Sequence, residues 1–187
     1  MTSWQPLLWA ALLASLPACS RHPRQGPPPG NEGTDGGTPG AVVVPNQLQT
    51  CANLPACEAA CQRGSGADCL SAASSYSTGN GVARAETRAA ALFSAACGLR
   101  SGPGCNLEGR AHEFGHGVPV DFVKALADYE QACSFDYLGG CYNVAVCLEN
   151  GRGAPRDDAR AATLYRQVCA AGSQAACAAA TRLEPHP

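Results

Sequence analysis

The chain has 187 residues and a formal net charge of −2, with 13 Lys and Arg interspersed among 15 Asp and Glu. No basic stripe stands out, so nucleic-acid binding, which leaves a footprint of clustered cations, is not expected. Hydrophobic residues are 45% of the chain but aromatics only 6%, and much of the rest is Ala and Cys; so thin a core needs staples, and 12 cysteines can supply them.

Leu7 to Leu16 reads LLWAALLASL, an apolar run with the length of a signal-peptide core and too short to cross a bilayer as a helix. The LPACS that follows resembles a bacterial lipobox, in which a small residue precedes a cysteine that is acylated and becomes the mature N-terminus. Leu16, Ala18 and Cys19 fit that pattern; Pro17 and an N-terminus without Lys or Arg depart from it. Residues 1–18 are therefore expected to be a signal peptide and Cys19 a lipidation site, with ordinary secretion as the alternative. Two or more acyl chains would anchor the protein stably to a membrane. Residues 19–48 are dense in Gly and Pro and carry few large apolar groups. Such a stretch cannot bury enough surface to offset its ordering entropy and is expected to be a flexible tether.

Beyond it the cysteines set a period. Cys61 and Cys69, Cys97 and Cys105, Cys133 and Cys141, and Cys169 and Cys177 each have seven residues between them, and successive pairs are offset by 36. A fixed period of this size is the mark of a repeat architecture. The first unit starts near residue 49, with Pro55 expected to interrupt its helix and Cys57 in place of an aromatic. Units starting near 85, 121 and 157 follow, and the array ends near 184, leaving 185–187 as a tail. Alanine-rich segments with apolar residues at helical spacing precede each Cys pair, and Phe93, Tyr129 and Tyr165 are equivalent positions in them. Asp121 and Asp157 stand where a helix N-cap or first turn favours an acidic group. A second, shorter helical pattern follows each pair and stops at Gly79, Gly115 and Gly151, which open the loops GNGVAR, GHGVPV and GRGAPR. Each unit reads helix, turn, helix, loop, and stacking buries its apolar face.

The G-x-G-V loop and the small-residue helix before it resemble the Sel-1-like repeat family. The Cys pairs at this period resemble its cysteine-rich Helicobacter branch. The resemblance covers residues 49–184. It implies an all-α, right-handed αα-hairpin solenoid of about four 36-residue repeats. It also implies one disulfide per hairpin, joining the end of one helix to the start of the next: Cys61–Cys69, Cys97–Cys105, Cys133–Cys141 and Cys169–Cys177. Structural zinc prefers two to four residues between paired cysteines, so seven suits it poorly, and export favours oxidation. Cys51 and Cys57 are close enough to bridge across Pro55. Cys147 is then left over, either a buried thiol acting as a small hydrophobe or a reactive one.

Residues 112–116 read HEFGH, a match to the zinc-protease pattern H-E-x-x-H. That chemistry needs both histidines on one continuous helix, with the glutamate as general base. In the repeat frame His112 falls at a helix packing position, Gly115 ends the helix, and His116 is the variable loop residue. The match is expected to be coincidental, and no metal or other cofactor is assigned.

No residue is assigned to catalysis. The cysteine-rich relatives imply penicillin binding or β-lactamase-like hydrolysis as the catalytic alternative. The S-x-x-K signature of serine β-lactamases is absent, because Lys124 has Asp121 at the serine position. Asp128 and Glu130 are expected on a solvated helix face. The favoured function is a non-catalytic scaffold in the bacterial cell envelope, periplasmic or at the outer membrane. It would be held by a lipid anchor and bind a protein or an envelope ligand. With so few aromatics, no binding hot spot is evident.

Overall fold

The computed structural model describes residues 51–184; the expected signal peptide, the lipidation site Cys19, the tether and the tail at 185–187 lie outside the described residues. Among the described residues there are eight helices and no strand: α1 (Leu54–Gln62), α2 (Gly66–Thr78), α3 (Glu86–Gly98), α4 (Gly102–Phe114), α5 (Phe122–Ser134), α6 (Leu138–Asn150), α7 (Asp158–Ala170) and α8 (Gln174–Leu183). They form four consecutive hairpins. Each helix packs on its neighbours in the chain, and α4 also touches α6. The result is an all-helical solenoid. None of the described helices is long and apolar enough to cross a membrane.

Caps set the helix starts. The Asp121 carboxylate accepts the amide N–H groups of Val123 and Lys124 at 3.1 and 3.0 Å, and Asp157 accepts that of Arg160 at 2.9 Å. The second helices α2, α4 and α8 are capped by the hydroxyls of Ser65, Ser101 and Ser173. Each such cap contributes about 1 kcal/mol. Pro55 does not interrupt a helix as expected. It sits in the first turn of α1, where its missing N–H has no helical acceptor to lose. In the second and third hairpins the second helix is not shorter than the first, since α4 and α6 have 13 residues, as do α3 and α5; in the last, α8 has 10 against 13 for α7. Their Gly- and Ser-rich sequences weaken the apolar periodicity that would have shown this length.

The loops that close the first three units each carry two glycines in the left-handed region. Gly115 ends α4 in the left-handed region at φ +74°, and Gly117 follows at φ +76°. Gly117 lies against the first turn of α3: a Cβ there would be 2.2 Å from the Glu86 carbonyl oxygen. The loop thus returns to the start of its own hairpin, and a side chain would push it off.

The core is mostly small residues. Ala72, Ala73, Ala96, Ala132, Ala145 and Ala161 are fully buried where helices cross, so the backbones approach closely. The largest side chains that are fully buried are Tyr129, Tyr165, Leu148 and Val144. They belong to one cluster spanning the last two hairpins, whereas the first two hold smaller separate clusters.

Candidate binding surface

The cysteines occupy the hairpin turns. Cys61 is joined to Cys69, Cys97 to Cys105, Cys133 to Cys141 and Cys169 to Cys177, each linking the last turn of one helix to the first turn of the next, with Cα–Cα distances of 4.6, 4.4, 4.6 and 4.6 Å. A further bridge joins Cys51 to Cys57 before and within α1. Cys147 is free and buried inside α6, 3% exposed. Burial, helped by the negative charge of Glu113, pushes its thiol up to about 11 from an ordinary value of 9.0. So placed, it packs as a hydrophobe and holds little thiolate at neutral pH.

The HEFGH residues serve three different contacts. α4 ends at Phe114, between the two histidines, and the His116 N–H donates to the Ala111 carbonyl at 3.0 Å in the turn that closes the helix. His112, in the last turn, places Nδ1 2.8 Å from Asp128 Oδ2 on α5. Glu113 accepts the Tyr129 hydroxyl at 2.7 Å and Arg152 at 3.0 Å. The continuous helix that a zincin needs is therefore not formed. Among the described residues no group of three or more His, Cys, Asp or Glu is placed to hold a metal ion.

Asp128 is not on a solvated face. Its side chain is 17% exposed between α4 and α5, and burial raises its carboxyl above the ordinary value while the His112 contact opposes that rise. Glu130 is the exposed one and pairs with Arg160 at 2.7 Å. Lys124 lies 3.6 Å from Asp121, a surface pair.

A second repeating device ties hairpin to hairpin. The Tyr129 hydroxyl donates to Glu113, and in the next unit the Tyr165 hydroxyl donates to Glu149 at 2.9 Å. Each glutamate also takes an arginine, Arg152 for Glu113 and Arg182 for Glu149 at 2.6 Å. Burial, then the facing carboxylate, drives both tyrosine hydroxyls well above their ordinary value, so they remain donors.

The third unit breaks the surface pattern at the loop between α4 and α5. Phe114, Val120, Phe122 and Val123 are 54, 55, 42 and 67% exposed. The positions of Val120 and Phe122 hold Arg84 and Glu86 one unit earlier, and Arg156 and Asp158 one unit later. In both of those units the two side chains form an ion pair. Here the pair is replaced by a valine and a phenylalanine in the open, with the Arg152 guanidinium 5.9 Å from the centre of the Phe122 ring. Exposed apolar groups rimmed by charge mark surfaces that are covered by a partner. Sequence reasoning found no hot spot because it counted aromatics along the chain. Aligning the units and asking where a charged pair turns apolar would have found this one.

Stacked helical hairpins closed by double-glycine loops and cross-linked at each turn define a helical-repeat scaffold. The model of the Sel1 repeat matches residues 67–100, 104–134 and 139–173, more than half of the chain, and the protein belongs to the Sel1 repeat family. No curated protein matches. Among solved structures the chain is similar to a protective antigen of uropathogenic Escherichia coli strains that displays an SLR fold, with a TM-score of 0.64 and 23% identity. That match covers 67% of this chain but only 27% of the E. coli chain. A Sel1 repeat protein from Oxalobacter formigenes has a TM-score of 0.63 at 19% identity, covering 69% of this chain and 97% of that one. Helicobacter pylori cysteine rich protein B has a TM-score of 0.54 at 27% identity, covering 67% and 90%.

Proposed function

We propose that this protein is an exported, lipid-tethered scaffold of the bacterial envelope that holds a protein ligand on the loop between α4 and α5. The observation that carries the proposal is the exchange of an ion pair for exposed Val120 and Phe122 at one of three equivalent loops, the other two of which keep the pair. Isolated apolar side chains on a surface need no explanation, but a cluster that displaces a repeated charged pair calls for one. Five bridges support an oxidising compartment, and the lipobox-like residues around Cys19 support a membrane anchor. Lys124, the lysine that a serine β-lactamase signature would need, lies beside the Asp121 carboxylate rather than a serine hydroxyl.

The double variant Val120→Arg/Phe122→Glu rebuilds the ion pair of the neighbouring units and should fold normally. Cross-linking in intact envelopes, followed by mass spectrometry, should then recover the ligand with at least about tenfold lower yield than the unaltered chain, the loss expected when two central apolar anchors become charged. The same ligand at the same yield would remove the loop from the interface. Changing Cys19→Ala should move the protein from the membrane to the soluble fraction; continued membrane association would exclude acylation there as the anchor.

A further inference from the structure

The same alignment of units finds a second departure, on another part of the solenoid. Glu149, Tyr165 and Arg182 form a closed set in the last two hairpins. Two units earlier the corresponding residues are Ser77, Phe93 and Arg110. The arginine is kept, but the carboxylate is replaced by a small hydroxyl and the tyrosine has lost its own. The other glutamate, Glu113, takes Arg152, whose counterpart one unit earlier is His116.

All four of these residues line one cleft between α2, α3 and α4 of about 290 Å³. Leu107 and Ala111 supply further apolar wall. Glu86 also lines it and is ion-paired with Arg84 on the same rim. Arg110 and His116 have no ion pair among the described residues. The junction of the first two hairpins therefore keeps the arginine of this contact and has Ser77 where the later junctions have a glutamate, and the space left is open.

We propose that this cleft binds the carboxylate of a ligand that carries a small apolar group. Arg110 and His116 take the carboxylate where the later hairpins place their own glutamate, and the apolar group lies against Phe93 and Leu107. Arginine suits the task because its planar donor fork matches both carboxylate oxygens. The volume is at the small end for ligand pockets, so one side chain or one ring fits and a large ligand does not. Two sources carry this chemistry, a free organic acid and the C-terminal residue of a peptide. The proposal goes beyond the scaffold role and stands at a different place, so either can fail alone.

The test is a titration of the isotopically labelled, oxidised full chain followed by amide NMR shifts. The probes are benzoate and a short peptide ending in leucine, supplied as the free acid and as the C-terminal amide. Saturable shifts around Phe93 and Arg110 are expected with a free carboxylate, and Arg110→Gln should weaken binding about tenfold or more. Ser77→Glu/Phe93→Tyr, which rebuilds the set seen at Glu149 and Tyr165, should abolish the shifts without lowering the melting temperature. Binding of both the peptide acid and benzoate, but not the peptide amide, assigns the site to peptide C-termini. Binding of benzoate alone assigns it to small acids. Equal affinity in the rebuilt variant, equal binding of acid and amide, or no shift with benzoate and peptide alike overturns the proposal.

Discussion

Dithiothreitol is expected to abolish most of the helical circular-dichroism signal of this protein near room temperature. The four hairpin bridges each span a sequence separation of eight. Restricting the unfolded chain this way contributes roughly 2.5 kcal/mol per bridge, about 10 kcal/mol for four, in the chain-entropy model. Halved for the usual shortfall of real bridges, about 5 kcal/mol remains, comparable with the whole net stability of a small domain. Little else can replace it. The core is dominated by alanine and cysteine, and each buried methyl contributes far less than a leucine or phenylalanine would. Helices of 9 to 13 residues are marginal in water without their neighbours. Retained helicity in reductant, with all thiols shown to be free, would mean that alanine packing alone holds the hairpins.

Placing a methyl group on either of the loop glycines Gly117 and Gly153 should cost about 3 kcal/mol, a drop of roughly 10 °C in melting temperature. Two effects add. Both residues sit in the left-handed region, at φ +76° and +77°, which is unfavourable for any residue with a Cβ. Both also lie on backbone that cannot move aside: the added carbon would be 2.2 Å from the Glu86 carbonyl oxygen at Gly117, and 2.1 Å from that of Phe122 at Gly153. The control is Gly98→Ala, at the end of α3 with nothing within 4 Å of the new carbon. That change should be neutral or stabilising by a few tenths of a kcal/mol. Equal melting temperatures for Gly117→Ala and Gly98→Ala would show that the loop is not seated on the helix start.

The repeat and the all-helical hairpin fold were legible because they rest on spacing. A period of 36 survives changes of individual residues, and glycines needed for left-handed turns recur at fixed offsets. The extent of the second helices was less legible. Gly102, Gly104 and Gly140 in the first turns of α4 and α6 look like turn residues, yet the tight crossing demands them: a Cβ on Gly140 would lie 2.5 Å from that of Ala132. Pro55 was misplaced for a related reason, since a proline that would break a helix interior is well suited to the first turn.

The candidate site was illegible to a search for catalytic or metal-binding patterns. The HEFGH match drew attention to His112, and repeat alignment located the helix end that separates it from His116. The same alignment, applied to every exposed position, locates Val120 and Phe122 where units have ion pairs, and Ser77 and Phe93 where units have a glutamate and a tyrosine. In a repeat protein the array supplies its own reference, and a departure from it is a local choice with a cost. The pairing of His112 with Asp128 carried the same kind of signal, since Asp128 stands where other units have Leu92 and Leu164 and His112 where they have Tyr76 and Leu148.

The most direct test of a disulfide-clamped solenoid is a thiol and bridge map of the oxidised protein, made by proteolysis without reductant after labelling in the native and the unfolded state. Each hairpin pair should appear as a linked peptide within its own unit, Cys51 should be linked to Cys57, and Cys147 should take label only after unfolding. Free thiols at the hairpin cysteines of the native protein, or links between units, would contradict the clamped hairpin and with it the stable scaffold on which both proposed binding sites depend.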